Sequence, residues 1–265
     1  MAKTTSPGLR ILIGAGSFAD AAAALRIVER LPATYRTALG GVFVEETHML
    51  TTCQLPNRRV VTNSGMTLLA PNPAQIRTVL HAEARAFRQS LKDAGGDNAR
   101  EDLFVRQEGE LVGTALRVAK GWDILVVGYR PVHAMRGNII LLRGAGPLSD
   151  QMRLASQSLG QQHSAHCVSF RFDPDTSADS PLPPSPNQNF QSLDAVLHTL
   201  ARTNANAVLV DLRDGPIQTP EDLARVLEAA RCPLIVFGAS HPIGALEHSI
   251  QVPPDPAYKG RMDGH

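Results

Sequence analysis

The stretch GWDILVVGYRPVHAMRGNIILLRGAG, residues 121–146, contains two apolar runs joined by a short basic loop. The runs DILVV and NIILL do not alternate with polar residues, which is typical of strands buried on both faces of a parallel sheet. The loop between Gly128 and Gly137 carries Tyr129 and the basic residues Arg130, His133 and Arg136. Loops that follow such strands hold phosphate groups in many α/β proteins, so this loop raises the question of nucleotide binding.

The same alternation of short apolar runs and segments of helical period extends over most of the chain. It predicts an α/β fold with an open, mostly parallel sheet and helices on both faces. Eight strands are expected, at residues 10–13, 38–44, 103–106, 123–127, 138–142, 167–172, 207–212 and 233–237.

Polar residues mark where several helices begin. Ser17 and Asp20 have the spacing of a capping box, in which each side chain binds a free N–H at the helix start. Asn72 and Thr219 each precede a proline, which predicts a cap followed by proline in the first turn. The pair Gly95-Gly96 is expected to end the long second helix.

Composition excludes several functional classes. The chain has 265 residues, 43% of them hydrophobic, with a formal net charge of +1 and 5% aromatic residues. It therefore lacks the basic surface expected of a nucleic-acid-binding protein, and no apolar run approaches the roughly 18 residues of a membrane span. Three widely spaced cysteines without a C-x-x-C motif predict a reducing, cytoplasmic setting rather than a disulfide framework.

Two segments of the chain repeat each other. ILIGAGSFAD at 11–20 and LLRGAGPLSD at 141–150 share a strand, a GAG turn, a helix start and an Asp at equal offsets. DILVVGYR at 123–130 has a counterpart in AVLVDLR at 207–213. Such internal repetition predicts two related α/β units in tandem.

We therefore predict a first unit over residues 8–137 and a second, shortened unit over 138–250. Within the second unit, residues 173–191 are rich in Pro, Ser and Asp and are predicted to form a flexible loop, since they cannot bury enough apolar surface to become ordered. Residues 251–265 are predicted to form a disordered tail.

The order of these elements resembles that of a universal stress protein domain. The resemblance rests on GVFVEE at the end of the second strand, on DILVVG after a later helix, and on AVLVDLR followed by a helix and CPLIVF. It covers about residues 8–238 in two copies, of which the second lacks the middle helix and strand.

This resemblance implies a five-stranded sheet of order 3-2-1-4-5 in each unit, with a ligand crevice at the carboxyl ends of strands one and four. Many members of the family bind ATP there, through an Asp at the end of strand one and a loop of the form G-x2-G-x9-G-[ST]. In this sequence Ala15 stands at the position of that Asp, and Pro131 stands at the position of the second loop glycine. No Gly-Ser or Gly-Thr pair ends the loop.

The second unit departs from the nucleotide-binding pattern as well. Arg143 or Ala145 stands at the position of the Asp, and Asp211 and Asp214 place carboxylates where a phosphate would need N–H donors. If ATP or AMP binds at all, the residues that the resemblance implies for it are Gly14, Ala15, Gly16, Ser17, Val44, Gly128, Arg130 and Gly137.

Other patterns admit a second interpretation. Residues 14–19, GAGSFA, also match the dinucleotide motif G-x-G-x-x-[GA], although Glu45 and Glu46 come late for its acidic partner. Tyr129, Arg130, His133 and Arg136 could bind an anion, but a solvated loop explains them too.

No cluster in the sequence points to catalysis or to a metal. His163, His166 and Cys167 are interpreted as a helix-to-strand turn rather than a metal site. Ser17, Ser149, Cys53 and Cys232 lack a His and Asp context for nucleophilic catalysis.

The sequence thus predicts a non-catalytic, cytoplasmic stress-response or regulatory protein of the universal stress protein type, without standard ATP binding and with no cofactor or metal. The shortened units leave a sheet edge that needs cover, which predicts an intramolecular pseudo-dimer or a homodimer and allows a protein partner. The alternatives are a nucleotide-binding regulator or slow ATPase, and a dinucleotide-dependent enzyme.

Overall fold

A computed structural model describes residues 9–32, 35–47, 51, 59–61, 67–69, 72–95, 99–130, 137–163, 165–174 and 187–240. The helices in this part of the chain are α1 (Phe18–Val28), α2 (Pro73–Gly95), α3 (Leu111–Val118), α4 (Asp150–His163), α5 (Leu193–Leu200) and α6 (Pro220–Ala230). The strands are β1 (Arg10–Ala15), β2 (Ala38–Glu46), β3 (Arg59–Val61), β4 (Thr67–Leu69), β5 (Ala99–Gly109), β6 (Ile124–Val127), β7 (Asn138–Arg143), β8 (Cys167–Phe172), β9 (Asn187–Phe190), β10 (Ala205–Asp211) and β11 (Leu234–Phe237). None of these helices combines the length and apolarity needed to span a membrane.

Nine of the strands form one open sheet in the order β5-β2-β1-β6-β11-β10-β7-β8-β9. All neighbouring strands in it are parallel except β6 and β11. The remaining two, β3 and β4, form a separate antiparallel hairpin. The predicted α/β fold class, with a mostly parallel sheet, is therefore confirmed.

The antiparallel pair β6–β11 lies in the middle of the sheet. Ile235 is paired with Val126 and Val236 with Leu125, and all four side chains are inaccessible to solvent. The strands on each side of this pair can be numbered in chain order. The first four strands of the sheet, β1, β2, β5 and β6, then have the spatial order 3-2-1-4, and the last five, β7 to β11, have the order 5-4-1-2-3. The strand that closes the second half of the chain thus covers the edge left open by β6, while the division into units at residue 137 stays a prediction.

Side chains alternate between two core clusters, one on each face of the sheet. Ile13 and Ile235 belong to the cluster beneath α1, α2 and α4, whereas Leu12 and Val236 belong to the cluster beneath α3, α5 and α6. Successive residues of a strand point to opposite faces, so strands buried on both faces need an unbroken apolar run. This requirement explains why DILVV and NIILL do not alternate with polar residues.

Two of the predicted helix starts are confirmed by reciprocal hydrogen bonds. The Gln75 N–H donates to Asn72 Oδ1 over 2.8 Å and the Asn72 N–H donates to Gln75 Oε1 over 3.0 Å. Thr219 and Asp222 form the corresponding capping box before α6. α2 ends at Gly95, as predicted.

The structure corrects the predicted organisation of the second half. Residues 173–191, predicted as a flexible loop, contain β9, which pairs in parallel with β8 and supplies the strand that the second unit was expected to lack. Its sequence NQNF has no apolar run, but the Phe190 ring packs against Phe170 at a centroid distance of 5.0 Å. Residues 175–186 and the predicted tail lie outside the described residues.

The first half also differs from the prediction in its details. The hairpin β3–β4 lies in the segment between β2 and α2, where no strand was predicted. β5 extends over Ala99–Gly109, well beyond the predicted 103–106, because pairing with β2 also orders polar residues at both of its ends.

We expect Ile235→Ala to lower the free energy of unfolding by about 2–5 kcal/mol, because it removes buried methyl groups from β11. The β6–β11 pair joins both halves of the core, so urea denaturation followed by circular dichroism should show one transition that shifts as a whole. Val79→Ala, at a side chain that is 54% exposed, is the matched control and should change stability by less than about 0.5 kcal/mol. Two separate transitions, with only one sensitive to Ile235→Ala, would contradict this account.

Candidate functional site

Ligands bind open α/β sheets at the carboxyl ends of strands where the strand order reverses. This sheet has two such positions. The first crevice is defined by the ends of β1 and β6, and the second crevice by the ends of β7 and β10. Each is followed by a helix, α1 after β1 and α4 after β7.

The first crevice brings together seven of the eight residues predicted to hold a nucleotide. Ala15 and Val44 are inaccessible to solvent, so their side chains cannot contact a ligand. Gly16 is open, since a Cβ built there would lie 3.7 Å from the nearest atom, Val44 O. The seven residues are Gly14, Ala15, Gly16, Ser17, Val44, Gly128 and Arg130.

Two glycines of this crevice serve the packing of the chain on itself. A Cβ on Gly128 would lie 2.5 Å from Asp20 O, so the end of β6 approaches the backbone of the first turn of α1. The Gly128 N–H donates to Gly14 O over 2.7 Å. A Cβ on Gly14 would in turn lie 2.8 Å from the Ala115 Cβ of α3. The chain itself therefore fills the Cβ direction of both glycines.

The carboxylate of Asp20 takes up donors that a phosphate would otherwise use. The Asp20 N–H donates to Ser17 Oγ over 3.2 Å, and the Ser17 hydroxyl donates to Asp20 Oδ2 over 2.5 Å. The Arg130 N–H donates to Asp20 Oδ1 over 2.7 Å. The predicted capping box is thus corrected, because the close approach at Gly128 brings the Arg130 N–H, and not that of Ser17, to the carboxylate.

Gly137 lies apart from this group. Its N–H donates to Asn206 Oδ1 and its carbonyl accepts from Asn206 Nδ2, each over 3.0 Å. β11 and β10 lie between β6 and β7, which separates the two ends of the loop by three strand spacings, or roughly 14 Å. Gly137 therefore does not share a site with Gly128. His133 and Arg136 lie outside the described residues.

The second crevice is a cleft of about 170 Å³. At its base, Arg213 Nε and Nη2 donate to the two carboxylate oxygens of Asp211 over 2.8 and 2.7 Å, and the Arg213 N–H donates to Oδ1 over 3.1 Å. The cleft is lined by Arg143, Pro147, Leu148, Ser149, Met152, Asp211, Arg213 and Asp214.

Opposing influences act on the Asp211 carboxyl. Burial raises its pKa, but hydrogen bonds from the Arg213 guanidinium and N–H and from the Ser149 hydroxyl lower it, and the net effect is a pKa below the ordinary value. Asp211 is therefore an anion at neutral pH that is fully engaged with the chain's own donors.

The GAG turn of this second crevice is filled by Asp214. The positions that a Cβ would take on Gly144 and on Gly146 are both occupied by the Asp214 carboxylate, and the Gly144 N–H donates to Asp214 O over 3.3 Å. The sequence predicted carboxylates in this region. It did not indicate that one of them enters the glycine turn, because that contact joins residues some 70 positions apart.

The two GAG segments thus differ in their chemistry despite their similar sequences. Asp150, at the same offset as Asp20, is exposed and pairs with Arg153 over 2.5 Å. Arg143 donates from Nε to Ser169 Oγ over 3.0 Å and from Nη1 to Gly146 O over 2.9 Å. Equal spacing in the sequence does not give the two carboxylates equal roles.

The cysteine thiols and the possible metal ligands contribute no further site among the described residues. Burial raises the pKa of both the Cys167 and Cys232 thiols, that of Cys232 to about 12, so both are protonated at neutral pH. Within the described ranges, no group of three or more His, Cys, Asp or Glu side chains could hold a metal ion. Cys53 lies outside those ranges.

No protein-family model matches the chain, and no curated protein sequence matches it. Solved structures similar to it include a universal stress protein from Archaeoglobus fulgidus DSM 4304, with 9% identity, coverage of 88% of this chain and 98% of the other, and a TM-score of 0.47. A protein from Pseudomonas aeruginosa UCBPP-PA14 proposed to be a universal stress protein has 10% identity, coverage of 86% and 93%, and a TM-score of 0.40.

The cytoplasmic domain of a prokaryotic cation chloride cotransporter is similar to a comparable degree, with 10% sequence identity and a TM-score of 0.40. The match covers 89% of this chain and 98% of the other. At these identities and TM-scores, no ligand, activity or partner is transferred to this chain.

We expect Arg213→Ala to lower the free energy of unfolding by about 1–3 kcal/mol at neutral pH, because it leaves the Asp211 carboxylate buried without its cation; the figure is reduced because Arg213 is itself partly exposed. The lowered pKa of Asp211 stabilises the wild type above the unfolded value near 3.8, and this contribution is lost as pH falls through the folded pKa. In the variant that contribution is absent.

Urea denaturation at a series of pH values checks this prediction. The difference between wild type and Arg213→Ala should be largest near neutral pH and should shrink in the acid range as Asp211 becomes protonated. Arg225→Ala removes an exposed pair with Asp194 and should cost less than about 1 kcal/mol at every pH. A cost of Arg213→Ala that does not change with pH would contradict the role given to Asp211.

Proposed function

We propose that this chain is a non-catalytic regulatory protein of the universal stress protein type whose crevices do not bind ATP in the manner of the family's nucleotide-binding members. The observation that carries the proposal is the position of Asp20 and Asp214. The Asp20 carboxylate accepts a hydrogen bond from the Arg130 N–H in the first crevice, and the Asp214 carboxylate fills the glycine turn of the second crevice.

Electrostatics supports the proposal for the first crevice. A phosphate bound at the start of α1 would need the N–H groups of the helix N-terminus and of the loop after β6. Ser17 and Asp20 already accept from these groups. A phosphate placed beside the Asp20 carboxylate would be repelled by about 4 kcal/mol at a separation of about 4 Å near a protein surface.

Size and charge support it for the second crevice. Asp211 and Asp214 both line a cleft of about 170 Å³, which is below the roughly 300–1,000 Å³ that is usual for a small-molecule pocket. Both arginines that line it are already engaged: Asp211 holds Arg213 through two hydrogen bonds, and Arg143 donates to Ser169 Oγ and Gly146 O. A nucleotide there would have to displace the Asp214 carboxylate from the turn and break the ion pair between Asp211 and Arg213.

The strand order supports a pseudo-dimer within one chain. The two strand orders, 3-2-1-4 and 5-4-1-2-3, meet where β6 pairs with β11. A single copy of the chain therefore already supplies the pairing that a homodimer would otherwise provide for the open edge of β6. We infer that the protein is a cytoplasmic monomer with two related units, which regulates its targets by binding another protein.

The central test is a thermal-shift comparison of ATP, ADP, AMP and NAD with inorganic tripolyphosphate at equal millimolar concentrations. Tripolyphosphate carries the phosphate chain of ATP without the nucleoside, so it measures the attraction of anions to any basic surface. We expect no nucleotide to raise the Tm by more than tripolyphosphate does, because a ligand raises the Tm only when it binds the folded state.

Gly16→Val is the matched variant for this test. Its added side chain meets no atom closer than 3.7 Å at the Cβ position, so the variant should fold while its side chain enters the first crevice. A rise with ATP that exceeds the tripolyphosphate control and disappears in Gly16→Val would contradict the proposal and would establish the nucleotide-binding alternative.

A further inference from the structure

The N–H group of the first residue of α1 is bound by a side chain from another helix. The Phe18 N–H donates to Glu83 Oε2 of α2 over 3.3 Å. The first N–H groups of a helix have no acceptor within the helix, which is why they attract anions. Glu83 therefore occupies a donor that a phosphate in the first crevice would otherwise use, although the two residues are 65 positions apart in the sequence.

The packing of α2 places Glu83 on the side of α1. Leu80, Ala84 and Phe87 belong to the buried stripe of α2, and Glu83 lies on one flank of that stripe, about 70° from the mean direction of these three residues. α1 and α2 pack against each other, and the Glu83 side chain is half-buried there. A carboxylate at a helix N-terminus is stabilised by the helix dipole and by a charge-assisted hydrogen bond.

Two further carboxylates lie at the same opening. The Asp20 carboxylate accepts from the Arg130 N–H over 2.7 Å and from the Ser17 hydroxyl over 2.5 Å. At the glycine turn, a Cβ built on Gly16 would lie 3.9 Å from Glu46 Oε1. α2, α1 and β2 thus each contribute one carboxylate to the first crevice.

These carboxylates oppose the charge that a helix N-terminus normally presents. The helix dipole is equivalent to about half a positive elementary charge at that end. Glu83 and Asp20 each place a negative charge beside it, so the start of α1 repels an anion instead of attracting one. Solvent and salt weaken this repulsion because neither side chain is fully buried, but a phosphate at the turn would lie beside both carboxylates.

We propose that Glu83 determines the ligand specificity of the first crevice, by excluding anions from the start of α1 as Asp20 excludes them from the loop after β6. This inference rests on the proposed function and adds to it a determinant on a different helix. It implies that the backbone of the crevice binds a phosphate group once both carboxylates are removed. The turn has room for one, since a Cβ on Gly16 would lie 3.7 Å from its nearest atom.

Inorganic pyrophosphate is the probe for this inference. It is titrated into the isotope-labelled full chain, and the amide resonances of Phe18 and Arg130 are followed by nuclear magnetic resonance. We expect no saturable shift of either resonance in the wild type at millimolar concentrations. The double variant Asp20→Ala/Glu83→Ala should show saturable shifts of both resonances, because the two N–H groups have lost their acceptors.

The single variants separate the two contributions. The double variant should bind pyrophosphate about tenfold more tightly than either Asp20→Ala or Glu83→Ala, because each substitution removes a like charge and releases one donor. Glu83→Gln removes the charge but keeps an acceptor for the Phe18 N–H. Combined with Asp20→Ala, it should therefore bind pyrophosphate more weakly than the double alanine variant does.

Glu29→Ala/Asp93→Ala is the matched control for overall charge. It removes two exposed carboxylates from the C-terminal ends of the same two helices, so the net charge changes by the same amount as in Asp20→Ala/Glu83→Ala. It should leave the Phe18 and Arg130 resonances insensitive to pyrophosphate. Circular dichroism checks that each variant is folded, and Asp20→Asn/Glu83→Gln replaces the alanine pair if that pair does not fold.

Two results would overturn the inference. One is a double variant that binds pyrophosphate no more tightly than the charge control does. The other is Asp20→Ala binding as tightly as the double variant, since Glu83 would then contribute nothing. A failure of the proposed function looks different, because nucleotide or pyrophosphate would then bind the wild type at Phe18 and Arg130.

Discussion

The antiparallel pairing of β6 with β11 is the interaction on which the rest of this fold depends. Without it, β6 would be an edge strand with unpaired N–H and C=O groups and an apolar sequence, a combination that favours aggregation. With it, nine strands share one sheet, and both core clusters cross the centre of the molecule. The eight side chains of the two strands are all inaccessible to solvent, so the pairing is also the centre of the core.

This pairing also determines what the first crevice can do. Because β11 and β10 lie between β6 and β7, the chain that leaves β6 must reach a strand three positions away. Gly137 therefore contacts Asn206 at the start of β10, while Gly128 contacts Asp20 at the start of α1. The two glycines that look in the sequence like the ends of one phosphate loop serve two separate packing contacts. The Asp20 carboxylate then accepts from the Arg130 N–H in the first crevice, and the Asp214 carboxylate lies in the glycine turn of the second.

The sequence was most informative where burial alone dictates the residue type. Unbroken apolar runs such as DILVV can satisfy only a strand covered on both faces, and this is why the central strands were predicted correctly. β9 was missed because NQNF has no such signal; its order comes from pairing with β8 and from one aromatic contact. The contacts of Asp20 with Arg130, of Gly137 with Asn206 and of Asp214 with the glycine turn join distant segments, so no local pattern could predict them.

The account's central claim is that the chain's own carboxylates occupy both places where a phosphate would lie. A crystal structure of the protein grown with millimolar ATP tests this claim most directly. We expect Asp214 between Gly144 and Gly146, Asp20 hydrogen-bonded to the Arg130 N–H, and no nucleotide density at the ends of β1 or β7. A triphosphate bound along Gly14–Ser17, or in the second turn with Asp214 displaced, would contradict the account.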